Sequence, residues 1–290
     1  MSARPSKKPF RSFSSSADIC IDCIALATAP SAIQVCRQVL GDNRYRRKGM
    51  LAMEANDPKI ADLGQMVTAA HEEFDMAIAF HEVWKPAAYD HDLHDRLGTS
   101  YATQAFLVAR TALRRETVLA LLRLWDSTKH GKHVRMQSIA AHLREKGLLD
   151  ALARERAEHL GLPEAVGAMR DDLGKKANAA VQLIHKYMEG GARHAVLKKL
   201  SALRHERLAH RQLASAASTG ANATDEEIEE FYRDNAELVH LLLSLVNAMA
   251  YNPEDTAKVF RHYAGCFWGR VQNREGKGKQ APLDSIERLD

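Results

Sequence analysis

The residues of this chain best suited to chemistry lie in Arg204-His205-Glu206-Arg207-Leu208-Ala209-His210. Histidine titrates near neutrality and can move protons, and arginine binds phosphate oxygens through two parallel N–H groups. Taken as one helix from Leu197, the segment places Leu197, Leu200, Leu203 and Leu208 on a single face. Arg204, Arg207 and Arg211 fall in the same arc, with His210 on its edge. Burying three unpaired guanidinium groups is costly, so a plain core stripe does not explain them. Two readings follow. Either the face opens onto a cleft or interface, with arginines paired to acids such as Glu116 or Asp126, or the charges are gathered to handle an anion. The second reading has a specific chemistry. Metal-free RNA cleavage needs a base for the 2′-hydroxyl proton, an acid for the leaving oxygen and a cation for charge developing at phosphorus. His210 and Arg204 stand about 120° apart round the helix with Arg207 between them, an arc able to surround one phosphate.

These residues need helices to hold them, and the chain is written in helices. From Gly190 to Leu213 there are six Arg or Lys residues against one acid, Glu206, a local field that attracts polyanions. Leu and Ala dominate an apolar content of 46%, enough for a core, while aromatics reach only 6% and alternating β-branched runs are scarce. The net charge of +4 is too small to indicate nucleic acid by itself. No apolar run approaches the ~20 residues needed to span a bilayer, and the expectation is a cytoplasmic protein without membrane contact.

Helices are expected over Pro58–Trp84, ending at Pro86, and over Arg96–Asp126 after a polar linker, Ala87–Asp95. A break falls at Thr128–His133, around Gly131. Further helices are expected over Arg135–Leu160, bent at Gly147, and over Glu164–Met188 after Gly161-Leu162-Pro163. Gly190-Gly191 precedes the helix His194–Leu213, and Ser215–Ala223 is a small-residue loop. Thr224-Asp225-Glu226-Glu227 is a capping box opening a helix to Tyr251, and Asn252-Pro253 restarts a last one through Phe267. The fold class is all-α, with residues 53–268 as the helical domain. Residues 1–52 read as a disordered leader, or as the product of a start placed upstream of Met50 or Met53. Residues 269–290 read as a flexible tail.

Other constellations are weaker. Asp90-His91-Asp92-Leu93-His94-Asp95 has ligand-type residues, but a solvated linker has the same composition, and His130 and His133 rank lower. Cys20-x-x-Cys23, with Cys36 and Cys266, lacks a second ligand pair and reads as reduced thiols. Neither a metal nor a cofactor is expected, and no phosphate loop or H-E-x-x-H metal helix is written in the chain.

Arg204–His210 resembles the R-x(4–6)-H signature of the HEPN superfamily, with His205 as the polar residue that often follows the arginine. Together with the upstream segment Ala112–Asp126, which closes on Arg123-Leu124-Trp125-Asp126, it is similar to the abortive-infection U-type branch over roughly Pro58–Tyr251. The resemblance implies a HEPN-like up-and-down helical bundle with extra helices that pairs as a homodimer, bringing two such motifs together across a cleft. It implies a metal-independent endoribonuclease of a toxin–antitoxin or phage-defence system. His210 would be the catalytic histidine, Arg204 the phosphate-stabilising arginine and His205 an auxiliary group. Arg207 and Arg211 would contact substrate, and Asp126 or Glu116 would fix the arginine from a neighbouring helix. RNA and a nucleotidyltransferase-like antitoxin are the implied partners. The alternative is a non-catalytic HEPN module that binds a nucleotide or a partner protein.

Overall fold

The computed structural model describes residues 57–126, 136–204 and 223–272. Among these residues there are nine α-helices and no strand. They are α1 (Pro58–Tyr89), α2 (His91–Leu97), α3 (Tyr101–Arg123), α4 (Met136–Leu143) and α5 (Leu148–His159). After a 3₁₀ turn at Pro163–Ala165 come α6 (Val166–Tyr187), α7 (His194–Leu203), α8 (Asp225–Val246) and α9 (Pro253–Trp268). The chain is an all-α, HEPN-like bundle.

Helix α1 is the axis of the packing, touching α3, α8 and α9 along much of its length. Its buried residues Leu63, Val67, Ala70, Phe74, Ala77 and Ile78 follow helical spacing. Helix α6 contributes one stripe of Leu173, Ala177, Ala180, Ile184 and Tyr187, and α8 a wider one from Ile228 to Val246. These faces close the main core. A second apolar cluster joins Ala87, Leu93, Leu97, Phe106, Ala264 and Trp268.

That second cluster corrects the expected end of the first helix. Helix α1 continues through Pro86 to Tyr89. Burying Ala87 helps offset the one ladder bond that proline cannot make. The expected linker over 87–95 is mostly helix as well. Asp90 caps α2, taking the N–H of Leu93 at 3.1 Å, and Leu93 is wholly buried. Gly98 then stops α2 with φ 52°, and α3 starts at Tyr101, not Arg96, because Ser100 and Thr103 cap it reciprocally.

The bend expected at Gly147 is a break. Gly147 has φ 88° and separates α4 from α5. The capping box at Thr224 forms as written: Thr224 Oγ1 accepts from the N–H of Glu227 at 3.2 Å, and Glu227 Oε2 accepts from the N–H of Thr224 at 3.0 Å. Helix α8 ends at Val246, short of Tyr251, since Ala248 turns left-handed with φ 51°. Tyr251 is instead buried, donating its hydroxyl to Asp75 at 2.8 Å. The leader over residues 1–52, Cys20, Cys23, Cys36, His130, His133 and the tail beyond 272 lie outside the described residues.

Candidate functional site

Arg204 follows directly on the C-terminal end of α7, whose Val196 and Leu200 are buried against the core. The turn that launches α7 demands glycine. Gly190 has φ 82°, and a Cβ on Gly191 would sit 2.1 Å from the carbonyl oxygen of His185. Three cations then moor α6, the start of α7 and α7 itself to the acidic edge of α8 through four ion pairs. Lys186 Nζ reaches Asp234 at 2.6 Å and Glu230 at 3.1 Å; Arg193 clasps Glu230 at 2.7 Å, and Lys199 meets Glu227 at 2.7 Å. Tyr187 donates its hydroxyl to Asp234 at 2.5 Å, and burial followed by that bond pushes its pKa up.

The partner of Arg204 comes from the end of α3. Its guanidinium donates to Oδ1 of Asp126, and both side chains are about three-quarters buried. Asp126 is placed by its neighbour Trp125. The Trp125 indole N–H donates to Oδ1 of Asn235 at 2.9 Å, and Asn235 Nδ2 donates to the carbonyl of Phe231 at 2.7 Å. Tyr187 and Phe231 pack on the same indole, with ring centroids 5.4 and 5.9 Å away. The last turn of α3 tightens, with the Trp125 N–H bonding back to Leu122, and Met136 N–H bonds to Leu124 O at 3.1 Å. A rigid aromatic anchor on α6 and α8 therefore sets where the carboxylate of Asp126 stands.

Of the residues singled out from sequence, the structure brings Arg204 and Asp126 together. Glu116 lies elsewhere, ten residues back along α3, where Arg115 and Arg123 are its cationic neighbours at 3.8 and 3.9 Å. His205, Arg207, His210 and Arg211 lie outside the described residues. In the Asp90–Asp95 stretch, Asp90 is a helix cap and His94 Nε2 meets the carbonyl of Ala87 at 2.8 Å. Among the described residues no three His, Cys, Asp or Glu groups converge as for a metal ion, and no helix is long and apolar enough to cross a membrane.

Sequence reasoning missed one buried ionic cluster. His81, 1% exposed, sits between two carboxylates: Nδ1 is 3.3 Å from Glu82 and Nε2 is 2.7 Å from Glu229. Arg261 of α9 adds a bond to Glu82 at 3.0 Å, and the ring of Tyr232 stacks on the imidazole at 3.8 Å. An imidazole with an acceptor on each nitrogen is stable as the cation. Burial opposes that charge, but the bonds from Glu229 and Glu82 outweigh it and raise the His81 pKa. Glu82 and Glu229 are held low by the same contacts, against their burial. The available signal was a His-Glu pair interrupting the apolar run between Ile78 and Trp84. Asn235 gave a similar one, as a polar residue on the apolar stripe of α8.

One of three comparisons with known proteins returns a match. A family model described as AbiU2, of the HEPN type, matches residues 60–265. No curated protein matches the chain, and no solved structure does. The match extends from the first turn of α1 to the last turn of α9, taking in α3, α7 and α8. The chain belongs to the HEPN-type AbiU2 family.

Proposed function

We propose that the chain is a metal-independent endoribonuclease of a toxin–antitoxin or phage-defence system, acting as a cytoplasmic homodimer. The observation that carries this reading is the Arg204–Asp126 pair at the head of the R-x5-H segment. Asp126 gives the first residue of the motif a fixed partner, and preorganised charge is what stabilises a phosphoryl transition state. In the reaction, the 2′-oxygen attacks phosphorus as His210 takes its proton. The P–O5′ bond breaks, the 5′-oxygen leaves with a proton from an acid such as His205, and a 2′,3′-cyclic phosphate remains. Arg204 balances the charge on the non-bridging oxygens, while Arg207 and Arg211 hold the flanking phosphates. A nucleotidyltransferase-like antitoxin would be the partner that restrains it.

Full-length protein incubated with mixed RNA and a chelator tests this. His210→Ala and Arg204→Ala should each lower cleavage by about 100-fold or more. Cleavage that persists unchanged in both variants removes the site. The same ion pair also favours a second reading: its carboxylate neutralises Arg204 and competes with any phosphate, as in a non-catalytic module binding a nucleotide or partner protein. Asp126→Asn separates the two. It should weaken cleavage by about 10-fold in a nuclease through lost orientation of Arg204, whereas no cleavage by any preparation across several RNA classes supports the binding module.

A further inference from the structure

At the far end of α8 from its Thr224 cap, a cavity of about 370 Å³ opens between α5, α6 and the turn after α8. Its polar lining is Arg156, His159, Lys176 and Ser244, with no carboxylate among the lining residues. The rest of the wall is apolar: Leu160, Ala248, Met249 and Ala250.

Arg156 is the unusual member. One of its terminal nitrogens donates to the carbonyls of Ser244 and Leu245, at 2.8 and 2.6 Å, closing the C-terminal end of α8. Its Nε is buried and has no hydrogen-bond partner. Arg114, Arg193, Arg204 and Arg261 each have a carboxylate, at Asp225, Glu230, Asp126 and Glu82. Arg156 forms no such ion pair among the described residues. Asp172 and Glu155 act on it from beyond ion-pair distance, and Asp172 is taken by Lys176 at 2.8 Å. Burial accordingly lowers the Arg156 pKa, where a carboxylate partner would have raised it. A half-buried guanidinium with an idle N–H donor and no carboxylate in ion-pair contact among the described residues is costly to maintain. An anion in the cavity would offset that cost.

The wall carries a second mark. Ala248 holds φ 51°, a left-handed conformation that costs a non-glycine residue energy, and this turn carries the chain on to Met249 and Ala250. Met249 is held there by a backbone bond to the carbonyl of Leu243 at 3.1 Å. The strained turn thus sets an apolar surface beside a cationic group. The volume falls at the small end of the range for small-molecule pockets, ~300–1,000 Å³.

We propose that this cavity binds a small organic anion, with a carboxylate or phosphate head on Arg156 and an apolar body against Leu160, Met249 and Ala250. None of the lining residues belongs to the Arg204–His210 segment, so the site is tested without ribonuclease activity.

Titration calorimetry on the full-length chain, with octanoate, octyl phosphate and 1-octanol as probes, tests the assignment. One of the two anions should bind saturably with Kd below about 1 mM, and the tighter of them identifies the head group. Arg156→Gln, which keeps a donor for the α8 carbonyls, should weaken that anion by about 10-fold or more. Ala250→Trp fills the cavity from an exposed position and should abolish binding even if Arg156→Gln proves unstable. Met249 methyl resonances should shift on titration in the parent chain and stay still in Ala250→Trp. Octanol binding as tightly as the anions, binding unchanged in folded Ala250→Trp, or no saturable binding of either anion would each overturn the proposal.

Discussion

A polar residue in the core does more to fix the candidate site than the charged residues around it. Asn235 is 1% exposed, on the buried stripe of α8. It accepts from Trp125, whose neighbour Asp126 takes Arg204. Replacing Asn235 by Leu removes the acceptor and strands a buried indole N–H. The expected loss is about 1–3 kcal/mol, read from urea unfolding. Trp125→Phe in the Asn235→Leu background should recover part of that loss, because neither polar group then remains. If the two substitutions simply add, the bond is not what holds the end of α3. At this scale the sequence was half legible. Asp126 and Glu116 were equal candidates for Arg204 on spacing. Only the direction of the α3 terminus selects Asp126, since Glu116 is ten residues back along the same helix, about 15 Å along its axis.

At the scale of elements, α1, α8 and α9 meet at one buried imidazole held between two carboxylates. His81 of α1 lines one pocket with Glu82 and Lys85 of its own helix, Glu229, Tyr232, Arg233, Glu237 and His240 of α8, and Glu254 and Arg261 of α9. The folded pKa of His81 is raised above 6.5, so its contribution is full below 6.5 and disappears as pH rises through the folded value. Glu82 and Glu229 are lowered below 4.5, so theirs is full above 4.5 and disappears as pH falls through their folded values. Stability should therefore peak between about pH 4.5 and 6.5 and decline on both sides. Urea unfolding from pH 4 to 9 reads this, and His81→Gln should remove the alkaline decline. An unchanged alkaline slope in that variant would place the titration elsewhere. The element boundaries themselves were mostly legible. Capping residues wrote the starts of α8 and α9 into local sequence, and Gly190-Gly191 marked the turn before α7. Pro86 misled because burial of Ala87 overrides a local helix-breaking preference, a balance no short window contains.

For the whole molecule, the family and the all-α class agree, and the prediction at this scale concerns assembly. A homodimer should sediment at about twice the 32.3 kDa chain mass. Under the nuclease reading its RNA cleavage should survive a chelator and fall steeply with added salt, because six basic residues lie between Gly190 and Leu213. A monomeric mass at micromolar concentration would remove the shared cleft. Sequence alone determined the helical class, the resemblance to the abortive-infection branch and the basic, histidine-bearing segment, because periodicity, caps and motif letters are local properties of the chain. The tertiary structure alone decided that Asp126 holds Arg204, that His81 lies buried between two carboxylates and that Arg156 has no ion pair among the described residues. Each of these depends on which charges meet across helices far apart in sequence. Burial, which no local pattern reports, then sets what an unpaired charge costs.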